Sequence, residues 1–280
     1  MPSVAAVLTE AARQLRASDS ARLDAELLLA HVLGWSRSRL LAYPEAEMPD
    51  SAADLYRRLV ADRACGSPVA YLTGRRDFWS LELTVGPAVL VPRPETELLV
   101  ELALRHLAGR PSPAVADLGT GSGAIGLAIA TERPDARVVL VDRSAAAAGV
   151  ASDNARRLGL GGVDVRTGDW FAPLDPSSRF DVVVSNPPYL AEHDPHLGSP
   201  ELRHEPRDAL VAGPTGLEAL SHLAAAAGAY LVAGGLLLLE HGSTQGSAVR
   251  ELLAARGFTA VGTVRDLAGH ERATSGRSAS

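Results

Sequence analysis

Lysine is missing from all 280 residues, so the 27 basic side chains are arginines, and against 33 acidic ones they leave a formal net charge of −6. Together with abundant alanine, this bias reads as a base-composition effect rather than a functional signal. A protein that grips a nucleic-acid backbone carries a basic stripe, because phosphate contacts dominate such affinity. No stripe is visible here, so no direct nucleic-acid substrate is expected. Cysteine is nearly absent too: the single Cys65 rules out a disulfide framework and fits a reducing compartment. No apolar run is long enough to span a membrane, and the first residues lack a basic flank followed by an apolar core. The expectation is a cytoplasmic protein with no membrane partner. The eight histidines are scattered; His193 and His196 flank Asp194 in a proline-containing loop without a cysteine or a further clustered carboxylate. A metal site needs converging ligands on a supporting element, so no metal is expected.

What is present suits a folded chain with room for two domains, at 46% hydrophobic and 21% charged residues. Residues 1–75 place Leu23, Leu27, Leu28, Val32 and Leu33 at helical spacing, with breaks at Pro44, Pro49 and Pro68. This predicts a small helical domain, a natural partner-binding module. From Phe78 the pattern turns strand-like through Val85, then Gly86-Pro87, then Val89-Leu90-Val91, which predicts a β-hairpin linker over 76–93. Pro94 followed by Glu95 and Glu97 opens a helix from Leu98 to Leu107. Residues 94–280 then alternate as an α/β domain, with strands expected near 114–118, 137–141, 162–166, 180–184, 234–240 and 258–264. The tail from Asp266 to Arg277 suggests an added antiparallel edge strand.

Asn186-Pro187-Pro188-Tyr189 follows the apolar run Asp181 to Ser185, which reads as a buried parallel strand. The tetrapeptide therefore sits at a strand's carboxyl end, where open α/β sheets bind ligands. Its prolines stiffen the loop and remove donors, leaving oxygens on display. The Asn186 side-chain carbonyl and the Pro187 backbone carbonyl can accept both hydrogens of one planar NH2 group, with Tyr189 as a flat wall. Upstream, the short strand Val115 to Leu118 runs into Gly119-Thr120-Gly121-Ser122-Gly123 and a helix. That turn allows close approach of a ligand, and Gly119, Gly121 and Ala124 also match a dinucleotide pattern. Asp142, ending the next strand, suits the ribose hydroxyls of either a dinucleotide or an adenosyl group. Between these motifs lies Gly168-Asp169-Trp170-Phe171, where Trp170 could cover an adenine and Asp169 accept from its amino group. Asn-Pro-Pro-Tyr has no group titrating near neutral pH and suits transfer to nitrogen rather than hydride chemistry. The pair of motifs points to S-adenosylmethionine and N-methylation.

The segments Asp117 to Gly123, Gly168 to Phe171 and Asn186 to Tyr189 resemble class I methyltransferases that modify planar nitrogens. Tyr71-Leu72-Thr73-Gly74, Val91 to Glu97, Leu239 to Gly242 with Gln245-Gly246, and Asp266 to His270 narrow the resemblance. Together they are similar to the peptide chain release factor glutamine N5-methyltransferases, the PrmC/HemK family. The resemblance implies a Rossmann-like class I methyltransferase sheet preceded by a helical domain that helps recognise the release factor. It implies methylation of the glutamine in a Gly-Gly-Gln loop. On the matching positions, Gly119, Thr120, Gly121, Ser122 and Gly123 would wrap the methionine part of S-adenosylmethionine, Asp142 its ribose and Trp170 its adenine side. Asn186, Pro187, Pro188 and Tyr189 would hold the substrate amide, with Asn186 also near the cofactor. An N-methyltransferase acting on an exocyclic amino group of DNA or RNA is the alternative, and a nucleotide-binding module without catalysis is a third reading.

Overall fold

The computed structural model describes residues 2–279, which cluster into two compact units, one through residue 75 with 198–204 and the other 76–197 with 205 onward. The first unit holds α1 (Val4–Gln14), α2 (Ala21–Leu33), α3 (Arg37–Ala42), α4 (Asp50–Ala64) and α5 (Val69–Thr73). Helix signals in the sequence explain their ends. Ser3 caps α1 by accepting from the Ala6 N–H, Gly34 ends α2 in the left-handed region at φ 63°, and Pro49 and Pro68 stand just before α4 and α5. Leu8, Leu28, Leu29, Leu40, Met48 and Tyr56 form the core between them. Beneath it lies a buried ion pair, Arg63 to Asp24 at 2.7 Å, to which the hydroxyls of Ser18 and Ser20 also donate. Arg63 reaches Glu201 as well, at 2.6 Å, which ties residues 198–204 to this unit.

The chain next forms β1 (Arg75–Phe78) and β2 (Leu81–Thr84), a two-stranded sheet turning at Trp79 and Ser80. The expected hairpin is thus tighter and earlier than its apolar pattern suggested, and Val89 to Val91 form no strand. Trp79 adopts φ 56° because two carboxylates hold it: Glu97 accepts its backbone N–H and Glu132 its indole N–H, both at 2.7 Å. Val89 and Val91 are buried all the same, and the Val91 N–H goes to the Glu205 carboxylate instead of a strand ladder.

A 3-10 turn, Pro94–Thr96, leads into α6 (Glu97–Leu107). Alternation follows: β3 (Ala114–Leu118), α7 (Ala124–Glu132), β4 (Arg137–Asp142), α8 (Ala145–Arg157), β5 (Asp164–Thr167), β6 (Phe180–Ser185), the short β7 (Leu190–Ala191) and β8 (Val211–Gly213), α9 (Glu218–Ala226), β9 (Leu231–Glu240), α10 (Gly246–Ala255), β10 (Thr259–Arg265) and β11 (Glu271–Arg277). The main sheet runs β10-β11-β9-β6-β3-β4-β5, with β9, β6, β3, β4 and β5 parallel and β11 antiparallel to both neighbours. The tail strand is antiparallel as expected but is not the edge; β10 is, because β11 inserts beside β9, pairing Ala273 with Glu240.

Helix α7 is buried from Ala124 to Ala130, so its apolar residues surround it rather than forming a stripe. A Cβ at Gly126 would come within 2.1 Å of Leu140 Cδ2 and 3.2 Å of Asp117 Cβ. Gly126→Ala is expected to destabilise the protein by about 1–3 kcal/mol through overpacking, read as a lowered urea midpoint at unchanged slope. An unshifted midpoint would mean that α7 slides away without penalty.

Candidate active site

The parallel strands bring the loops after β3, β4, β5 and β6 to the same end of the sheet. There a cavity of about 600 Å³ opens, within the range of small-molecule sites. Its wall includes Gly119, Thr120, Gly121 and Ser122, Asp142, Asp169 and Trp170, and Asn186 and Pro188, faced by Val89, Leu90 and residues 206–209. The structure does not bring every residue of the motifs to this wall. Gly123 caps α7 at φ 86°, Pro187 is buried, and Tyr189 packs against the sheet core.

Backbone bonds fix the glycine turn. The N–H groups of Gly119 and Thr120 both go to the Val141 carbonyl, and that of Gly121 goes to Asp142 at 2.9 Å. The other Asp142 oxygen accepts from the Ser144 N–H at 2.9 Å, so this one side chain joins the glycine turn to the start of α8. Each oxygen keeps a free lone-pair direction for a ligand hydroxyl. Asn154, fully buried on α8, donates to the Ser122 and Thr84 carbonyls and accepts from the Thr84 N–H, bracing the turn from below.

Behind the turn lies Asp117, whose carboxylate accepts from the Thr120 hydroxyl at 2.6 Å and the Gly126 N–H at 3.0 Å. Burial pushes its pKa up to about 6, against the opposing pull of those two donors. A pyrophosphate at a helix start needs free N–H groups. Here Gly119, Thr120 and Gly121 already use theirs within the protein, and two carboxyl groups stand at the turn. The site suits a ligand with ribose hydroxyls and positive charge, not a phosphate chain. Trp170, at φ 46°, closes over the turn; a Cβ on Gly119 would meet its ring at 3.3 Å, so glycine is needed there for close approach.

The acceptor loop is braced from several sides. Asn186 Nδ2 donates to Thr96 Oγ1 at 3.2 Å, which leaves its carbonyl oxygen free. Gln245 donates to the carbonyls of Tyr189 and Gly216 while accepting from the Gly242 N–H. Arg93 pairs with the buried Glu205. Pro94 to Glu97 reads adequately from sequence as a helix start, so the contact of Thr96 with Asn186 carried no signal beyond the segment itself. Glu205 and Glu240 had none. His196 meets Asp194 at 2.7 Å in an exposed loop, and the described residues contain no cluster of three or more His, Cys, Asp or Glu side chains arranged for a metal.

Known proteins resemble this chain along nearly its whole length. Residues 6–74 match the model of the PrmC N-terminal domain and residues 95–202 that of the methyltransferase small domain. A release factor glutamine methyltransferase of Burkholderia pseudomallei is 53% identical over 272 residues, 95% of each chain. The chain belongs to the release factor glutamine methyltransferase family. A second member, from Escherichia coli K12, is 46% identical over 96% of this chain and 97% of its own. For the fold, a T. thermophilus 16S rRNA N2 G1207 methyltransferase solved with AdoMet and guanosine superimposes with a TM-score of 0.55 at 22% identity, covering 73% of this chain and 49% of that one.

Proposed function

We propose that the protein transfers the methyl group of S-adenosylmethionine to the side-chain amide nitrogen, N5, of the glutamine in the Gly-Gly-Gln motif of peptide chain release factors, modulating translation termination. The observation that carries this reading is Asn186 at the cavity wall with its amide nitrogen engaged by Thr96, which leaves the carbonyl as its acceptor. The cavity residues fit the cofactor: Asp142 for the ribose hydroxyls, Trp170 and Asp169 for the adenine side, and the glycine turn for the methionine portion. Bound there, S-adenosylmethionine supplies an electrophilic methyl group on a sulfonium.

Everything else falls to the protein. An amide nitrogen is a poor nucleophile because its lone pair is delocalised into the carbonyl. Acceptance of an N–H bond by the Asn186 carbonyl holds it in place and raises electron density on nitrogen, so orientation and fixed dipoles carry the rate. Asn186 would hold the nitrogen in line with the methyl group that S-adenosylmethionine would supply. Once methylated, the nitrogen is strongly acidic and loses its proton to water. No dedicated base is required before transfer. Mass spectrometry of a release factor incubated with the protein and S-adenosylmethionine tests this; one added methyl on the Gly-Gly-Gln glutamine is expected. Its absence, or methylation of an amino group in RNA or DNA instead, would defeat the proposal.

The helical segment 1–75 is assigned to release-factor recognition. Its match to the PrmC N-terminal domain supports this, as do Leu41 and Tyr43, which stay more than half exposed. Replacing both with serine should raise KM for the release factor about thirtyfold or more while leaving cofactor affinity alone, since interface anchors of this kind are worth more than about 1 kcal/mol each. An unchanged KM would move the recognition surface elsewhere.

A further inference from the structure

Glu240 is the last residue of β9 and is completely buried, and neither oxygen of its carboxyl group forms a hydrogen bond of good geometry. Nothing in the mechanism above uses it. A buried, unpartnered acid is costly, so its place in the fold demands a reason. The parallel register of β6 and β9 pairs Ser185 with Leu239. Asn186 and Glu240 therefore leave the sheet side by side. Between them lies Thr96, itself buried, whose hydroxyl oxygen accepts from Asn186 Nδ2 at 3.2 Å. The Thr96 hydroxyl and the Asn186 amide are both near enough to lower the pKa of Glu240.

We propose that Glu240 is a positioning residue for the methyl transfer: its carboxylate accepts a hydrogen bond from the Thr96 hydroxyl and thereby locks the Asn186 amide with the carbonyl toward the substrate. This rests on the function proposed above. A hydroxyl has one proton to donate, and an ionised carboxylate can only accept. With Glu240 charged, Thr96 must donate to it and accept from Asn186. One amide orientation survives. A protonated Glu240 can donate to Thr96 instead, and Thr96 can then donate to Asn186 Oδ1, which turns the Asn186 NH2 toward the substrate NH2. Donor then faces donor, and the glutamine loses its acceptor.

The device is therefore sensitive to pH. Burial pushes Glu240 up to about 7, while the Thr96 hydroxyl, Arg272 and Asn186 hold it down and Glu95 pushes it up. The charged and titratable groups around it are Arg272 on β11, Glu95 in the 3-10 turn before α6, and Tyr189 in the loop after β6, whose phenol is itself driven upward by burial and by Glu240. His241, next in the chain, bonds with the Gly242 carbonyl and the Thr274 hydroxyl, and burial lowers its pKa, so it is neutral where Glu240 ionises. Transfer should thus rise with pH through neutrality although the reacting amide does not titrate.

The test uses the full-length protein with S-adenosylmethionine and a purified release factor, from about pH 5.5 to about pH 9. In the wild type, kcat should fall about tenfold per pH unit below the Glu240 pKa. Glu240→Gln should have a flat profile, with kcat about tenfold below the wild-type plateau and the cofactor KM within about twofold. Carbon-13 NMR of the side-chain carboxyl carbons, without any ligand, should show one glutamate titrating near neutrality that vanishes in Glu240→Gln. An acid limb that persists in Glu240→Gln, or a Glu240 resonance titrating in the ordinary carboxylate range, overturns the proposal. Should Glu240→Gln fail to fold, Thr96→Val is expected to lower kcat about tenfold and Thr96→Ser to restore it; a Thr96→Val protein as fast as wild type overturns it equally. No transfer by the wild type at any pH would instead sink the function itself, and this inference with it.

Discussion

Asn186→Ala is expected to lower kcat for methyl transfer by about a hundredfold or more, about 3 kcal/mol of barrier. Asn186 lines the cavity, and its amide nitrogen is engaged by Thr96. Alanine removes the acceptor that orients the glutamine and polarises its nitrogen, and both effects grow as positive charge develops on that nitrogen in the transition state. The loss should therefore appear in kcat rather than in KM for the cofactor. Single-turnover kinetics at saturating cofactor decide the matter. Near-normal turnover would strip Asn186 of its role.

The second large effect is expected at Asp142. Asp142→Ala should weaken S-adenosylmethionine binding by about a hundredfold or more, because charge-assisted hydrogen bonds to two ribose hydroxyls are worth about 1.5–3 kcal/mol each. The structure adds a second reason. Asp142 also receives the N–H groups of Gly121 and Ser144, so its loss frees the glycine turn from the start of α8 and removes the preorganisation of the pocket. Calorimetry separates the two contributions when combined with thermal unfolding. A lowered Tm with unchanged cofactor Kd would leave Asp142 a purely structural link, and NADH competing with S-adenosylmethionine would reopen the dinucleotide reading of the glycine pattern.

Much of the chain's organisation was legible without coordinates, for definite reasons. The apolar runs at 114–118, 137–141 and 180–184 are buried on both faces of a parallel sheet, so they lack alternation and stand out. Proline marked the breaks between helices in the first unit because it acts locally on the backbone. The hairpin was misplaced for the opposite reason. Trp79 carries none of the usual turn chemistry, and its left-handed φ is held by Glu97 and Glu132, which are far away in sequence. Val89 to Val91 looked like a strand because its valines are buried, but burial alone does not form a ladder: the Val91 N–H bonds to a side chain, Glu205.

The site divides along the same line. The sequence alone identified the glycine turn, Asp142, the Gly-Asp-Trp-Phe segment and the Asn-Pro-Pro-Tyr loop, because each is a contiguous motif whose chemistry depends on backbone conformation and neighbouring residues. Only the tertiary structure decided what stands behind them. Thr96 and Glu240 lie 90 and 54 positions from Asn186 in the chain, and they meet it because β6 pairs in parallel with β9 while the turn before α6 packs above both. Buried carboxyl groups such as Asp117, Glu205 and Glu240 are chosen by the surroundings that the fold assembles around them. The ionisation of Asp117 and Glu240 depends on desolvation, and desolvation is a property of packing that no local run of residues contains.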